Sequence, residues 1–317
     1  MAAGVHSLPY WWRSVMLNAQ WAGLNGYSHL TYCIQACAAA RTESTQMPVV
    51  ALAAAWCKIP AISDALQTRQ YKTVLYLDSD AFWNRTDSSL QALGRYMWPG
   101  DWSSAAGGGG SFFFGCNLPW AGEDRGRRQW NWTAENAARG PPNTGVMLIR
   151  RNAASLATLA EWWRAPFVMP RWNQRHQWEQ SVLWQLWHAQ PGFATPLRVL
   201  SNPADGKCMR TMDRKQPSVV AHIPGGGVRG PLAVQRREDH FRAAHPDRMA
   251  PWTEWSTEVV WLSHRHGASP AATGTDAAPL QVPIPSARMR KRCTQLLTVN
   301  SGTTGGPRLR PCIQVHV

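Results

Sequence analysis

Apolar side chains at Trp12, Val15, Met16, Ala19 and Ala22 recur at helical spacing between Pro9 and Asn25, and Gly26 stops the run. The spacing predicts a helix there. Residues 28–33 (SHLTYC) read as a short strand, and residues 47–66 as a loop entering a helix that carries Trp56, Ile59, Ile62 and Leu66. Residues 71–77 (YKTVLYL) form a nearly continuous run of strand formers that ends in a polar cluster, the pattern expected of a central strand in a parallel sheet. Further strands are predicted at 111–116, 146–150, 197–200 and 219–222, with helices at about 153–164 and 177–190. Alternating strands and helices argue for one α/β domain over 10–267, with ligands expected where the strands end. Beyond that point Ala, Pro, Ser, Thr and Gly dominate around the basic knot RMRKR at 288–292. The expectation for 268–317 is therefore a disordered tail whose removal leaves the fold intact.

Composition narrows the function classes only in part. Thirty-three basic against nineteen acidic residues give a net charge of +14, which favours an anionic partner. The basic residues are scattered and lack interleaved aromatics, so no nucleic-acid partner is expected. Nineteen Trp call for a core or for a flat ligand such as a sugar ring. The seven Cys form no paired C-x-x-C set, and the reading for them is buried thiols, not a zinc site. No run approaches the roughly 18 consecutive apolar residues a membrane span needs, and no signal-peptide pattern is present.

The candidate chemistry begins at Asp78 and Asp80, which close the strand VLYLDSD. Residues two apart on an extended backbone point to the same side, so both carboxylates aim into the crevice at the strand's carboxyl end. Paired carboxylates suit a hard cation such as Mg²⁺ or Mn²⁺. Taken alone, D-x-D is more often a turn capping the next helix than a metal site.

Four blocks in order change that weight. They are N-x-x-W-A-x-x-N-G-Y (Asn18 to Tyr27), W-C-K-I-P-A-I (Trp56 to Ile62) leading to Y-L-D-S-D-A-F, N-T-G-V-M-L-I-R-R-N (Asn143 to Asn152), and W-E-Q-S-V-L (Trp178 to Leu183) followed by V-V-A-H-I-P-G-G (Val219 to Gly226). Together they resemble glycosyltransferases of the GT-A fold, most closely the galactosyl-, xylosyl- and mannosyltransferases of glycosyltransferase family 34, over about residues 14 to 230. The resemblance implies a nucleotide-diphospho-sugar transferase fold, a UDP-sugar or other nucleotide-sugar donor, and Mn²⁺ (or Mg²⁺) at Asp80 and His222. Asp78 would sit on the donor ribose or on the metal through water, and Gly225 against the diphosphate. Asn143, Thr144 and Gly145 would line the sugar or acceptor pocket, or simply make a strand-entry turn. Lys58 matches a family position, or is a solvated helix lysine. Glu179 and Gln180 align with a pair facing the reacting sugar carbon, or form an ordinary helix start. His222 has the alternative of a satisfied core histidine.

Such folds begin with a strand that holds the nucleotide base, and here the chain opens almost directly in a helix. The GT-A domain is thus read as lacking its first strand, and the family's membrane anchor is absent from this chain. Sequons at Asn84 and Asn131 are compatible with a Golgi lumen. The expected function is metal-dependent transfer of a hexose or pentose, galactose or xylose first, to a glycan or glycoprotein acceptor with retention. The alternative is a non-catalytic glycan- or polyanion-binding protein on a decayed GT-A scaffold.

Overall fold

The computed structural model describes residues 10–34, 38–39, 50–51, 54–78, 80–83, 89–90, 110–116, 142–168, 178–194, 196–199, 220–222, 258–262 and 312–316, with single positions at 236, 239 and 243. Helix α1 (Tyr10–Leu24) opens them and buries Val15, Leu17, Trp21 and Ala22. It stops where Gly26 adopts φ 72°, a conformation open to glycine at no steric cost, while the Asn25 side chain donates to Trp21 O. Strand β1 (His29–Ile34) follows, then the short pair β2 (Ala38–Ala39) and β3 (Val50–Ala51). A mixed helical segment runs from Ala54 to Thr68, with α2 (Lys58–Ser63) as its α-helical part.

The main sheet is built around β4 (Thr73–Leu77), β6 (Phe112–Cys116), β7 (Pro142–Arg150) and β8 (Leu197–Val199). Its order is β10-β1-β11-β4-β7-β6-β8, where β10 is Glu258–Leu262 and β11 is Cys312–His316. Pairing is parallel for β1 with β10 and for β6 with β8; β11 and β7 run against their neighbours. Strand β4 therefore has antiparallel partners on both sides, contrary to the parallel setting expected of it. Its unbroken apolar run reflects burial on both faces, which both kinds of sheet can impose when covered twice.

Alternation along the strands separates the two faces. Val74 and Tyr76, Phe112 and Phe114, and Met147 and Ile149 point into one core, shared with Trp56, Ile59, Leu159, Trp162 and Leu183. Leu75 and Leu77, Phe113, and Val146 and Leu148 point into the other, shared with Leu17 and Trp21 of α1 and with Phe82 and Trp83 of β5 (Ala81–Trp83). Helices α2, α3 (Ala153–Val168) and α4 (Trp178–Ala189) cover the first face, and α1 with β5 covers the second.

Two further expectations are corrected. Cys312–His316 are not part of a disordered tail: they pair with β1 on one side and β4 on the other. Five residues of alternating strand-forming character suffice once two strand edges are waiting for them; residues 268–311 lie outside the described residues. Cys57 is also not a free thiol, because it is disulfide-bonded.

His29, at the start of β1, is 4% exposed, and burial pushes its pKa down to about 3. The unfolded chain then binds a proton that the fold refuses between roughly pH 6.5 and 3, so this residue should make stability fall as pH drops through that window, by up to about 1.4 kcal/mol per pH unit. Urea melts of wild type and His29→Gln at pH 7 and pH 4.5 check this. The variant should lose distinctly less stability on acidification; equal losses would contradict it.

Candidate metal centre and its supporting network

Strand β4 ends at Leu77, and Asp78 accepts no further ladder partner from β11; its N–H donates to Gly145 O of β7 at 2.8 Å. The chain turns at once, with Ala81 N–H donating to Asp78 O at 2.8 Å, and enters β5. That strand pairs antiparallel with β9 (Val220–His222), Ala81 lying opposite His222. The register is what brings a residue 142 positions further along the chain beside Asp80. His222 Nε2 lies 3.1 Å from Asp80 Oδ1 and 3.9 Å from Asp78 Oδ2. One ligand atom from each of the three falls within 4.8 Å of the others.

Asn18 of α1 holds this turn from behind. Its amide donates to Ala81 O at 2.9 Å and accepts from Trp83 N–H at 2.8 Å, and Trp21 stacks on Trp83 with centroids 3.8 Å apart. Gly145 gives the site its space. A Cβ there would stand 2.3 Å from His222 Cε1 and 2.8 Å from Asp78 Oδ2, so no larger residue fits without moving the imidazole or the carboxylate.

The residues fit a divalent cation on three counts. Two carboxylates and one imidazole are a donor set for Mn²⁺ or Mg²⁺. The carboxylates remain partly open, at 30% and 18% exposure, so an outside ligand has access. His222 Nδ1 is buried without a hydrogen-bond partner. Burial lowers the His222 pKa, but the hydrogen bond and charge of Asp80, with Asp78 behind it, outweigh burial and raise it.

Behind the carboxylates lies a buried polar network. Lys58 of α2 is 2% exposed and is no solvated helix lysine; its Nζ sits 3.1 Å from Asp78 Oδ1, 2.9 Å from Glu179 Oε1 and 3.1 Å from Thr144 O. Burial would lower its pKa, yet Asp78 and Glu179 together push it up to about 12. Asp78 responds in kind: burial raises its pKa, and Lys58, His222 and the Tyr76 hydroxyl overcome that and lower it. Glu179 and Gln180 start α4, which is pinned by Trp162 Nε1 donating to Glu179 O and by Trp184 Nε1 donating to Pro142 O, both at 2.9 Å. Both side chains are buried and turn inward onto Thr144. Its hydroxyl donates to Glu179 Oε1 and its N–H to Gln180 Oε1, each at 2.9 Å. Glu179 Oε2 is buried and unpartnered. Asn143 Oδ1 accepts from Gly145 N–H at 2.8 Å, which ties this network to the glycine beside His222.

The structure therefore brings together Lys58, Asp78, Asp80, Asn143, Thr144, Gly145, Glu179, Gln180 and His222. Gly225 lies outside the described residues. Sequence reasoning missed Tyr76, whose hydroxyl donates to Asp78 Oδ1 at 2.6 Å, and Asn18 as the brace of β5. The signal for Tyr76 was present: it precedes Asp78 by two on one strand, so the two share a face. Nothing local could have flagged Asn18, because its partners are 63 and 65 residues away.

No protein-family model matches the sequence, and no curated protein does. Among solved structures the chain is similar to a glycosyltransferase involved in the glycosylation of the major capsid of PBCV-1, at 14% identity and a TM-score of 0.42, over 73% of this chain and 95% of that one. A likeness of that size says nothing by itself about chemistry.

Proposed function

We propose that this protein is a metal-dependent glycosyltransferase that moves a sugar, galactose or xylose first among them, from a nucleotide-diphosphate donor to a glycan acceptor with retention. The observation that carries the reading is the meeting of Asp78, Asp80 and His222 at the carboxyl end of a central strand, within 4.8 Å of one another and beside a buried Lys58–Glu179–Thr144–Gln180 network. These are the residues at which the four ordered motifs resemble family 34.

Asp80 and His222 would hold the cation, with Asp78 offering one oxygen. When bound, it supplies positive charge to a departing nucleotide diphosphate. The chain's own residues do the rest. Gly145 keeps the floor of the site low enough for a donor to approach the carboxylates, and Gly225 would lie against the phosphates. Thr144, held by Glu179 and Gln180, fixes the turn on which Gly145 stands. Glu179 Oε2, buried and unpartnered, is the one carboxylate oxygen of the network left to meet positive charge developing on a sugar. Secretion through the Golgi lumen belongs to the same proposal; the disulfide at Cys57 and the sequons at Asn84 and Asn131 support it.

The test is a panel of UDP- and GDP-sugars assayed for hydrolysis and transfer with Mn²⁺ and with chelator. Turnover of one donor that chelator abolishes is the expected result; no turnover of any donor would favour a non-catalytic binding protein. In the active assay Glu179→Gln and Gln180→Ala should each lower kcat by about tenfold to a thousandfold, the range for one lost transition-state stabiliser, with donor KM little changed. Glu179→Gln should also lower the melting temperature, since it weakens a buried ion pair with Lys58. Normal kcat in both variants would remove them from the site.

A further inference from the structure

Asp78 differs from Asp80 in how its two oxygens are used. Oδ1 accepts from the Tyr76 hydroxyl at 2.6 Å and faces the Lys58 ammonium at 3.1 Å. Oδ2 is turned the other way, 3.9 Å from His222 Nε2 and over the open side of Gly145. Two donors on one oxygen fix the plane of the carboxylate, which a side chain with 30% exposure would otherwise rotate freely.

Tyr76 and Lys58 are themselves buried. Tyr76 is 2% exposed and packs in the core under α2, and Lys58 Nζ lies 5.2 Å from its ring centroid, over the face. The ammonium is held from the far side by Glu179 and Thr144 O. The charges are unequal: Asp78 and Glu179 share one Lys58, Asp80 beside them meets His222, and His222 adds a positive charge only when protonated. A divalent cation at the cluster would bring the group close to neutral.

We propose that Tyr76 and Lys58 are positioning residues that occupy Oδ1 of Asp78, so that Asp78 presents Oδ2 alone, in a fixed direction, to a divalent cation shared with Asp80 and His222. This rests on the metal reading of the site. It assigns Asp78 as a one-oxygen ligand, and it makes Tyr76 a determinant of metal affinity although its hydroxyl never touches the ion. Partners that orient a metal ligand in this way typically carry about tenfold to a hundredfold of affinity.

The experiment is a titration of the purified protein with Mn²⁺, free ion being read by electron paramagnetic resonance, for wild type, Tyr76→Phe, Asp78→Asn and the double variant, each checked by thermal melting. Tyr76→Phe keeps the ring in the core and removes only the hydroxyl, which makes it the primary variant; Lys58→Arg is the second, since removing the ammonium outright would endanger folding. Wild type should bind one Mn²⁺, and Tyr76→Phe should bind it about tenfold or more weakly. In the Asp78→Asn background the same change should have no further effect, because its influence passes through Asp78. A merely structural role would lower the melting temperature and leave the Mn²⁺ affinity unmoved. Equal affinity in wild type and Tyr76→Phe, or equal losses in both backgrounds, overturns the proposal. Absence of Mn²⁺ binding by folded wild type overturns the metal reading as well, and is distinguished from the other outcomes by the wild-type titration alone.

Discussion

Deletion of residues 312–317 should leave little folded protein. Strand β11 is the third of seven strands, with Cys312–His316 in register with His29–Cys33 of β1 and Gln314–His316 with Leu75–Leu77 of β4. Removing it exposes two facing strand edges in the middle of the sheet, between Leu30 and Tyr32 on one side and Val74 to Leu77 on the other, residues that are almost wholly buried. Each backbone group left buried without a partner costs about 1–3 kcal/mol, and several are orphaned together. Their sum is comparable with the whole stability of an ordinary domain, about 5–15 kcal/mol. The expected outcome is loss of soluble protein, or a chain without a cooperative melt. Val315→Pro is the point version: this residue lies opposite Leu30 and Tyr76, and proline in a central strand removes a ladder donor. Circular dichroism melts of both variants check this, and wild-type melting in either would mean that β11 contributes no central pairing.

Asp80→Asn should uncouple cation from nucleotide. Two carboxylates and an imidazole leave part of the Mn²⁺ shell to outside oxygens, water when the cation binds alone and phosphate when a nucleotide is present, so each ligand should tighten the other. Asp80 Oδ1 stands 3.1 Å from His222 Nε2, closer than Asp78 Oδ2 at 3.9 Å. Substitution by Asn keeps the shape and removes the charge. The measurement is calorimetric titration of UDP with Mn²⁺ and with chelator. Wild type should bind UDP at least tenfold more tightly with Mn²⁺, whereas the variant should show the same weak binding in both conditions, with turnover lower by about a hundredfold or more. A variant that retains the Mn²⁺ dependence would sink the assignment of Asp80. The fold should be preserved, because β5 is held independently by Asn18, by its pairing with β9 and by the Trp21–Trp83 stack.

Much of the architecture was legible from hydrophobic spacing. The helices at 10–24, 153–168 and 178–189 and the strands at 29–34, 73–77, 112–116, 197–199 and 220–222 lie where periodicity puts them, within a few residues. Each has a local cause: a 3.6-residue stripe, a β-branched or aromatic run, a terminating glycine or polar cluster. Strands β5, β10 and β11 were not legible. AFW is three residues long, and EVVWL and CIQVH are isolated runs in a polar, Pro- and Gly-rich context, so only distant partners make strands of them.

The sequence by itself determined that Asp78 and Asp80 share a face at the end of a strand; His222 and Gly145 came in through the resemblance carried by the four ordered motifs. The first follows from a period of two, a local property. Only the tertiary structure decided who touches whom. The register of β5 on β9 sets His222 against Asp80, the neighbourhood of β4 and β7 sets Gly145 against Asp78, and the seating of α2 and α4 on one face drives Lys58 between Asp78 and Glu179. Burial then fixed roles that residue type leaves open, because a lysine enters an apolar layer only with its charge matched. The placement of the last strand in the centre of the sheet belongs to the same class: pairing between residues nearly 300 positions apart has no signature in either segment alone, and arises from the cost of leaving two strand edges unpaired.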